Sequence, residues 1–287
     1  MNVIAVMNED MGLCNRMKCL VSALEVTEKL GGKLSIDWQP SYSCGIEYQD
    51  LFDYRSSSNV SPDDSVQVST WKLPYDCNFK FNKIKTNIRN KILKYIHKVK
   101  RKIRPNFIKE AEDYIEAWSE FNSIEDIVGL HVRRNEFMLS SDKKKSTDTE
   151  FFNKMDSMLA KSPNTIFYLA TDSKHTEHIF KKRYGSKIVT FYKTCLDRSK
   201  PQAIKEAMVE LLILSKLNTL LVSGLSTYNE MAWWLGDCKA NVEVIGKKEP
   251  IKQTTENKTS CASWINQTLR RKSAIYRWIM RRFGYWA

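Results

Sequence analysis

Apolar residues along this chain fall into short runs rich in β-formers, separated by longer stretches in which they recur at every third or fourth position. Asn2 to Met7 is the first such run. A helical pattern follows from about Arg16 to Leu30 and stops at Gly31-Gly32, and KLSIDW is a second run. That strand–loop–helix–strand order opens a βαβ unit. From Ile84 onward, Ile88, Ile92, Ile96, Val99 and Ile103 trace one helix face that ends near Pro105, and 111–122 predicts a further helix. The alternation then restarts: IVGLHV, a helix over 149–160, TIFYLATD, the helix KHTEHIFKKRY, KIVTFY, a helix over 205–217, TLLVSG, a helix over 228–235 and VEVIG. Alternation of this kind predicts an α/β protein with parallel sheets covered by helices on both sides. The simplest division is an N-terminal Rossmann-like unit over 1–120 with a basic helix at 84–103, a second over 121–250, and a polar linker with a basic aromatic helix over 251–287. Residues 40–79, rich in Ser, Asp, Asn, Tyr and Pro, read as loops with short elements, where specificity or lid features are expected.

A length of 287 residues allows one large or two medium domains, and 42% hydrophobic with 28% charged residues is the composition of a soluble globular protein. MNVIAVMNED lacks the basic start and long apolar stretch of a signal peptide, and Glu210, Lys216 and Asn218 break the most apolar later segment, so no membrane span is expected. Seven cysteines without a C-x-x-C pair, and four scattered histidines, predict reduced thiols, a cytoplasmic setting and no metal site. The net charge of +13 is concentrated. Twelve Lys or Arg and no acid lie between Lys80 and Lys109, and six more lie between Trp264 and Ala287. Three readings fit these basic elements: stripes that dock on the domains and leave charge to water, helices lying on an anionic membrane face, or nucleic-acid contact. No zinc-finger, homeodomain or RNA-recognition signature supports the last, so nucleic acid is not an expected partner.

Candidate chemistry gathers where strands end. LHVRRNEF puts His131, Arg133, Arg134 and Glu136 at the carboxyl end of a strand, and side-chain alternation sends the two arginines to opposite sides. One can reach an anion with its guanidinium fork while the other braces a carboxylate; a solvated, salt-bridged strand end fits the same pattern. His131 could donate to a phosphate or hydroxyl or be a buried histidine satisfied by backbone, and reads as a structural or orienting group rather than a base; two neighbouring arginines make Glu136 a weak base near neutrality. Gly12, Asn15 and Arg16 lie between the first strand and helix, where Gly12 permits a tight turn and the free amides of the helix start can hold an anion. A helix cap in an ordinary loop fits equally. Asp172 ends the FYLATD strand, and Ser223, Ser226, Thr227 and Tyr228 follow TLLVSG at another helix start, a plausible diphosphate cradle. No D-x-D, phosphate-binding glycine loop or nucleophile elbow occurs.

Taken in order, GLCNRMKCLVSALEVTEKLGGKLSIDW, VGLHVRRNEF, IFYLATD and EAMVELLILSKLNTLLVSGLSTYNEMAWWLG resemble four segments of the fucosyltransferase superfamily. That group includes the nodulation-type α1,6-, the α1,2- and the protein O-fucosyltransferases. The resemblance spans most of 8–236. It implies a GT-B fold with two Rossmann-like domains facing across a cleft, the first on the acceptor side and the second binding nucleotide sugar. It further implies an inverting, metal-independent transferase with no cofactor, using GDP-fucose as donor and a glycan or glycolipid as acceptor. Arg133 or Arg134 would grip the β-phosphate, the second more often essential, and His131 would touch the donor. Asp172 would sit near the guanosine, with Ser223, Ser226, Thr227 and Tyr228 near base or diphosphate and Gly12, Asn15 and Arg16 reaching the cleft. Glu136 and Asp142 are the candidate bases. Cys14, Asn135-Glu136, Glu210 and Asn229 depart from the family pattern. A bacterial or viral cytoplasmic enzyme is the expected setting, with a peripheral place on the inner face of a membrane through 84–103 and 264–287 as one reading of the basic elements.

Overall fold

The computed structural model describes residues 2–53, 65–69, 81, 84–120, 123–134, 146–224 and 226–246. Two all-parallel sheets organise them. The first has the order β2-β1-β3, from β1 (Asn2–Val6), β2 (Lys33–Asp37) and β3 (Ser65–Val68). Between β1 and β2 runs α1 (Leu13–Leu30), which starts three residues before the apolar pattern predicts and ends at Gly31 in the left-handed region, φ 58°. Only glycine adopts that conformation without penalty. The short α2 (Tyr48–Leu51) and strand β3 both fall in the stretch read as mainly loop.

The second sheet has the order β6-β5-β4-β7-β8, from β4 (Ile127–Val132), β5 (Ile166–Thr171), β6 (Ile188–Val189), β7 (Thr219–Ser223) and β8 (Asn241–Ile245). Strand order reverses between β4 and β7, which opens a crevice at their carboxyl ends, the usual ligand site of an open α/β sheet. All six residues of β4 are buried, as a central strand covered on both faces requires. Joining these strands are α5 (Asp148–Lys161), α6 (Lys174–Tyr184), α7 (Pro201–Lys216) and α8 (Thr227–Leu235). Strand β6 is shorter than the KIVTFY run because the chain leaves the sheet after Val189.

Helices α3 (Thr86–Lys100) and α4 (Pro105–Ser119) connect the sheets. Pro105, read as the end of one helix, is also the first residue of the next, where its missing N–H costs nothing. Helix α4 packs on α7, while α3 packs on both α1 and α8. Ile92, Tyr95, Ile96 and Val99 of α3 are buried there, each worth roughly 1.5–3 kcal/mol by removal from water. Its charges are met as well: Lys91 pairs with Glu25 at 2.7 Å and Lys98 with Glu28 at 2.9 Å, Lys94 also holds Glu28, and Lys100 donates to Leu235 O at 2.6 Å. The stripe read as a possible membrane face is therefore covered by protein. No helix among the described residues is long and apolar enough to cross a membrane. Residues 264–287 and Asp142 lie outside the described residues.

Candidate functional site

A cleft opens over the carboxyl ends of β4, β5 and β7 and is closed from the other side by the β1–α1 loop. Its walls include Gly12 from that loop and Asn15 from the first turn of α1, His131 near the end of β4 and Arg133 just beyond it, Asp172 beyond β5, and Ser226 to Tyr228 beyond β7. Two helices, one from each sheet, point their N-termini into it. The N-cap positions of α1 (Gly12) and α8 (Ser226) make no side-chain cap bond, whereas Thr147 and Ser173 cap α5 and α6. Uncapped first-turn amides carry partial positive charge and no intrahelical acceptor, so both ends favour an anion. Between them α1 and α8 are clasped by the buried ion pair Lys18–Glu230 at 2.7 Å.

The two arginines after β4 part company. Arg133 lines the cleft, its backbone N–H donates to Ser223 Oγ at 3.1 Å, and its Nε is buried without a hydrogen-bond partner. Arg134 turns away: it bonds the carboxylate of Asp148 and donates to Ser146 O at 3.1 Å. The resemblance favoured the second arginine as the phosphate grip, but the geometry gives the cleft to the first. Ser223 likewise sits beneath the wall, holding the chain where β4 leaves the sheet.

His131 is stacked on Tyr228, ring centroids 4.8 Å apart, and its Nδ1 meets Asn229 Oδ1. Asn229 Nδ2 donates to Ser223 O at 2.6 Å, which fixes the amide's orientation and leaves Oδ1 as acceptor. Nδ1 therefore carries the proton and Nε2 the lone pair. Burial disfavours the imidazolium and pushes the pKa down to about 4, although Asp172 opposes the shift. The departure at Asn229 thus has a structural use, setting the histidine tautomer.

Other expectations are redistributed. Arg16 does not reach the cleft. It is fully buried, with Nε donating to Met11 O at 2.8 Å, one terminal nitrogen to Gln39 O at 2.7 Å and the other to Ser41 Oγ at 2.8 Å. A guanidinium can satisfy three acceptors in one plane, so it serves here as a brace that ties the first turn of α1 to the loop before it and to the 39–41 segment. Gly12 adopts ordinary extended angles, φ −69° and ψ 171°, and a Cβ there would meet only Ser43 O at 3.7 Å. The turn does not require glycine; the missing side chain leaves space on the cleft wall. Asp172 accepts from Arg134 N at 2.7 Å and from Arg198 at 3.3 Å. Asn15 Oδ1 and Ser226 Oγ are buried with no partner, Thr227 borders the cleft, and Tyr228 donates to Ala207 O at 2.6 Å. Glu136 lies outside the described residues.

Residues not singled out as site groups complete the walls: Ser43, Lys193, Arg198 and Glu210. Lys193 and Glu210 form a buried pair at 2.8 Å, and burial raises the Glu210 carboxyl to about 7 despite Lys193. Arg133 is lowered, first by burial and next by the charge of Arg198. Lys193 and Arg198 were findable, since they follow KIVTFY, another strand run whose carboxyl end the same rule would have flagged. Ser43 carries no local signal; loop folding alone brings it in. Among the described residues no group of three or more His, Cys, Asp or Glu is placed to hold a metal ion. Cys14, Cys19, Cys44, Cys195 and Cys238 are free thiols.

No family model matches the sequence, and no curated protein matches it. Solved structures do. POFUT1 in complex with GDP aligns with a TM-score of 0.52 at 12% identity, covering 85% of this chain and 99% of that one. An Arabidopsis thaliana FUT1 mutant in complex with GDP gives 0.51 at 12%, covering 87% and 71%. The fucosyltransferase NodZ from Bradyrhizobium gives 0.46 at 14%, covering 80% and 91%. With its two parallel sheets and flanking helices, this chain carries the GT-B-like fold of two Rossmann-like units found in fucosyltransferases.

Proposed function

We propose that this chain is an inverting glycosyltransferase that moves a sugar from a GDP-sugar, GDP-fucose first among them, to a hydroxyl of a glycan or glycolipid acceptor. The observation that carries this reading is the convergence of Arg133, with its buried unpartnered Nε, and the uncapped N-termini of α1 and α8 on one cleft. Two solved structures of the same fold contain GDP, which makes a guanosine diphosphate the first ligand to test. The preference for fucose rests on the sequence resemblance.

In this reading the acceptor hydroxyl attacks the anomeric carbon from the face opposite the diphosphate. The sugar gains positive character and the leaving oxygen gains negative charge. Arg133 and the helix-end amides are positioned before the reaction, so they stabilise the leaving diphosphate more strongly as its charge grows, which is the requirement for catalysis. Neutral His131 offers the Nε2 lone pair to a donor hydroxyl. It adds no positive charge at physiological pH, because its pKa is about 4. Asn15 and Ser226 supply unpartnered polar atoms that a ligand would satisfy. Ser223, Arg134 and Arg16 hold the walls without touching the donor. The acceptor's proton would pass to a carboxylate base, for which Glu136 and Asp142, both outside the described residues, are the candidates.

A thermal-shift series with GDP-fucose, other GDP-sugars, UDP-sugars and CDP-sugars tests the proposal. GDP-fucose should raise the melting temperature most. A response confined to UDP-sugars would keep a transferase and discard the donor, and no response to any nucleotide sugar would overturn the reading.

A further inference from the structure

The loop that follows β6 is built to deliver one residue. The carboxylate of Glu206 accepts from Thr194 N at 3.0 Å, Thr194 Oγ1 at 2.6 Å, Cys195 N at 3.1 Å and Gln202 Nε2 at 2.9 Å. Three residues on, Asp197 Oδ1 accepts from Ser199 N at 2.9 Å and Ser199 Oγ at 2.7 Å. Arg198 is the middle residue of this second turn, with its side chain in the cleft wall. Its side chain remains about two-fifths exposed and, among the described residues, its ion-pair contact is to Asp172 at 3.3 Å, whose other oxygen already takes the Arg134 amide. Arg133 lies near enough to feel the Arg198 charge. Two guanidinium groups facing one opening, one with a buried Nε left over, describe a place for an anion with several oxygens.

The second half of the device comes from the other sheet. Gly45, in the loop beyond β2, donates its N–H to Arg198 O at 2.8 Å. A Cβ on Gly45 would stand 2.0 Å from Ser199 O and 2.2 Å from Ser199 C, closer than any side chain tolerates. The two backbones therefore touch only because position 45 has no side chain. This contact joins the first unit to the one loop of the second that carries Arg198.

We infer that Arg198 is a second diphosphate-binding residue, opposite Arg133, and that the Gly45–Ser199 backbone contact between the two units positions it. The inference rests on the GDP-sugar reading and deepens it: the diphosphate half of the site is complete only when the units are docked. Arg198 acts by touching the ligand, whereas Gly45 is a positioning residue.

Calorimetric titration of the full chain with GDP and with GMP tests this. Arg198→Ala should weaken GDP about 10- to 100-fold, the size of one charge-assisted bond, while GMP stays within about threefold. Gly45→Ala should weaken GDP in the same selective way, and the double variant should bind no worse than Arg198→Ala alone, since both remove one contact. Asp197→Ala, which frees the Ser199 turn without touching the Gly45 contact surface, should give a smaller selective loss and serves if Gly45→Ala fails to fold. Wild-type protein that binds GDP, with Arg198→Ala keeping the same preference of GDP over GMP, would overturn this inference alone. Wild-type protein that binds neither would overturn it together with the proposed function.

Discussion

The first turn of α1, after β1, and the segment that leaves β4 each carry a buried or half-buried arginine, and they use it in opposite ways. In the first, Arg16 gives hydrogen bonds to three acceptors of its own chain. In the second, Arg133 keeps its Nε buried and unmatched while facing the cleft. A buried polar group without a partner costs stability, and in the proposed reading a bound ligand would complete the count at this opening. Burial of an arginine does not by itself indicate function, nor does an unpartnered donor, since Arg89 Nε is also buried without a partner; at Arg133 it is the unpartnered donor together with a place on the cleft wall that carries the proposal.

Removing each side chain should break this comparison cleanly. Arg16→Ala strips three acceptors at once and should destabilise the protein by about 3–5 kcal/mol in urea unfolding, with Arg16→Lys restoring little because an ammonium cannot match the planar fork. Arg133→Ala should leave the unfolding midpoint near wild type while lowering kcat/KM with the GDP-sugar by about 10²- to 10³-fold. If Arg133→Ala instead costs stability and spares turnover, the two arginines have been assigned the wrong way round.

Two of the cleft's shifted groups, Glu210 and His131, sharpen the comparison through pH. Glu210 is raised from its ordinary 4.5 to about 7. The folded state then holds a proton that the unfolded chain has lost, so stability falls as pH rises from about 4.5 to 7. His131 is lowered from 6.5 to about 4. The unfolded chain binds the proton first, so this contribution is full above pH 6.5 and is lost as pH falls toward 4. The two slopes oppose each other over pH 4.5–6.5. Glu210→Gln should therefore make the melting temperature climb with pH in that window, and His131→Asn should make it fall. Parallel curves for wild type and both variants would contradict the shifts.

The smallest effect is expected on α3. Replacing Lys94 and Lys98 by Gln should hardly move the melting temperature, because their bonds to Glu28 lie at the solvent-exposed surface where pairing is worth little. Binding to anionic vesicles that depends on these two lysines would show that the helix has a partner beyond its own protein.

Much of this architecture was readable in the residues. Lys174–Tyr184 follows its sequence pattern to the residue, and the βα alternation after residue 126 gives the parallel sheet, because period-2 and period-3.6 burial are local properties. The short strand β3 was not readable: four residues paired to β1 sit in a polar stretch whose strand character comes from its neighbour. In the site, alternation correctly separated Arg133 from Arg134 but could not say which faced the opening. That depends on the crevice between β4 and β7 and on the position of Asp148. Asn15 was expected near the cleft and lies on its wall, whereas Arg16, one residue on, points into a brace. Adjacent positions on a helix are separated by about 100°, so one residue decides between ligand and core.

The sequence by itself determined the α/β class, the strand runs and the concentration of anion-friendly groups at strand ends, since each follows from periodicity and from the side chains that terminate a run. Tertiary structure decided which charges were left over. Whether Arg16, Arg133, Lys193 or the lysines of α3 find a carboxylate or carbonyl depends on residues tens to hundreds of positions away, and only folding brings those partners within hydrogen-bond range.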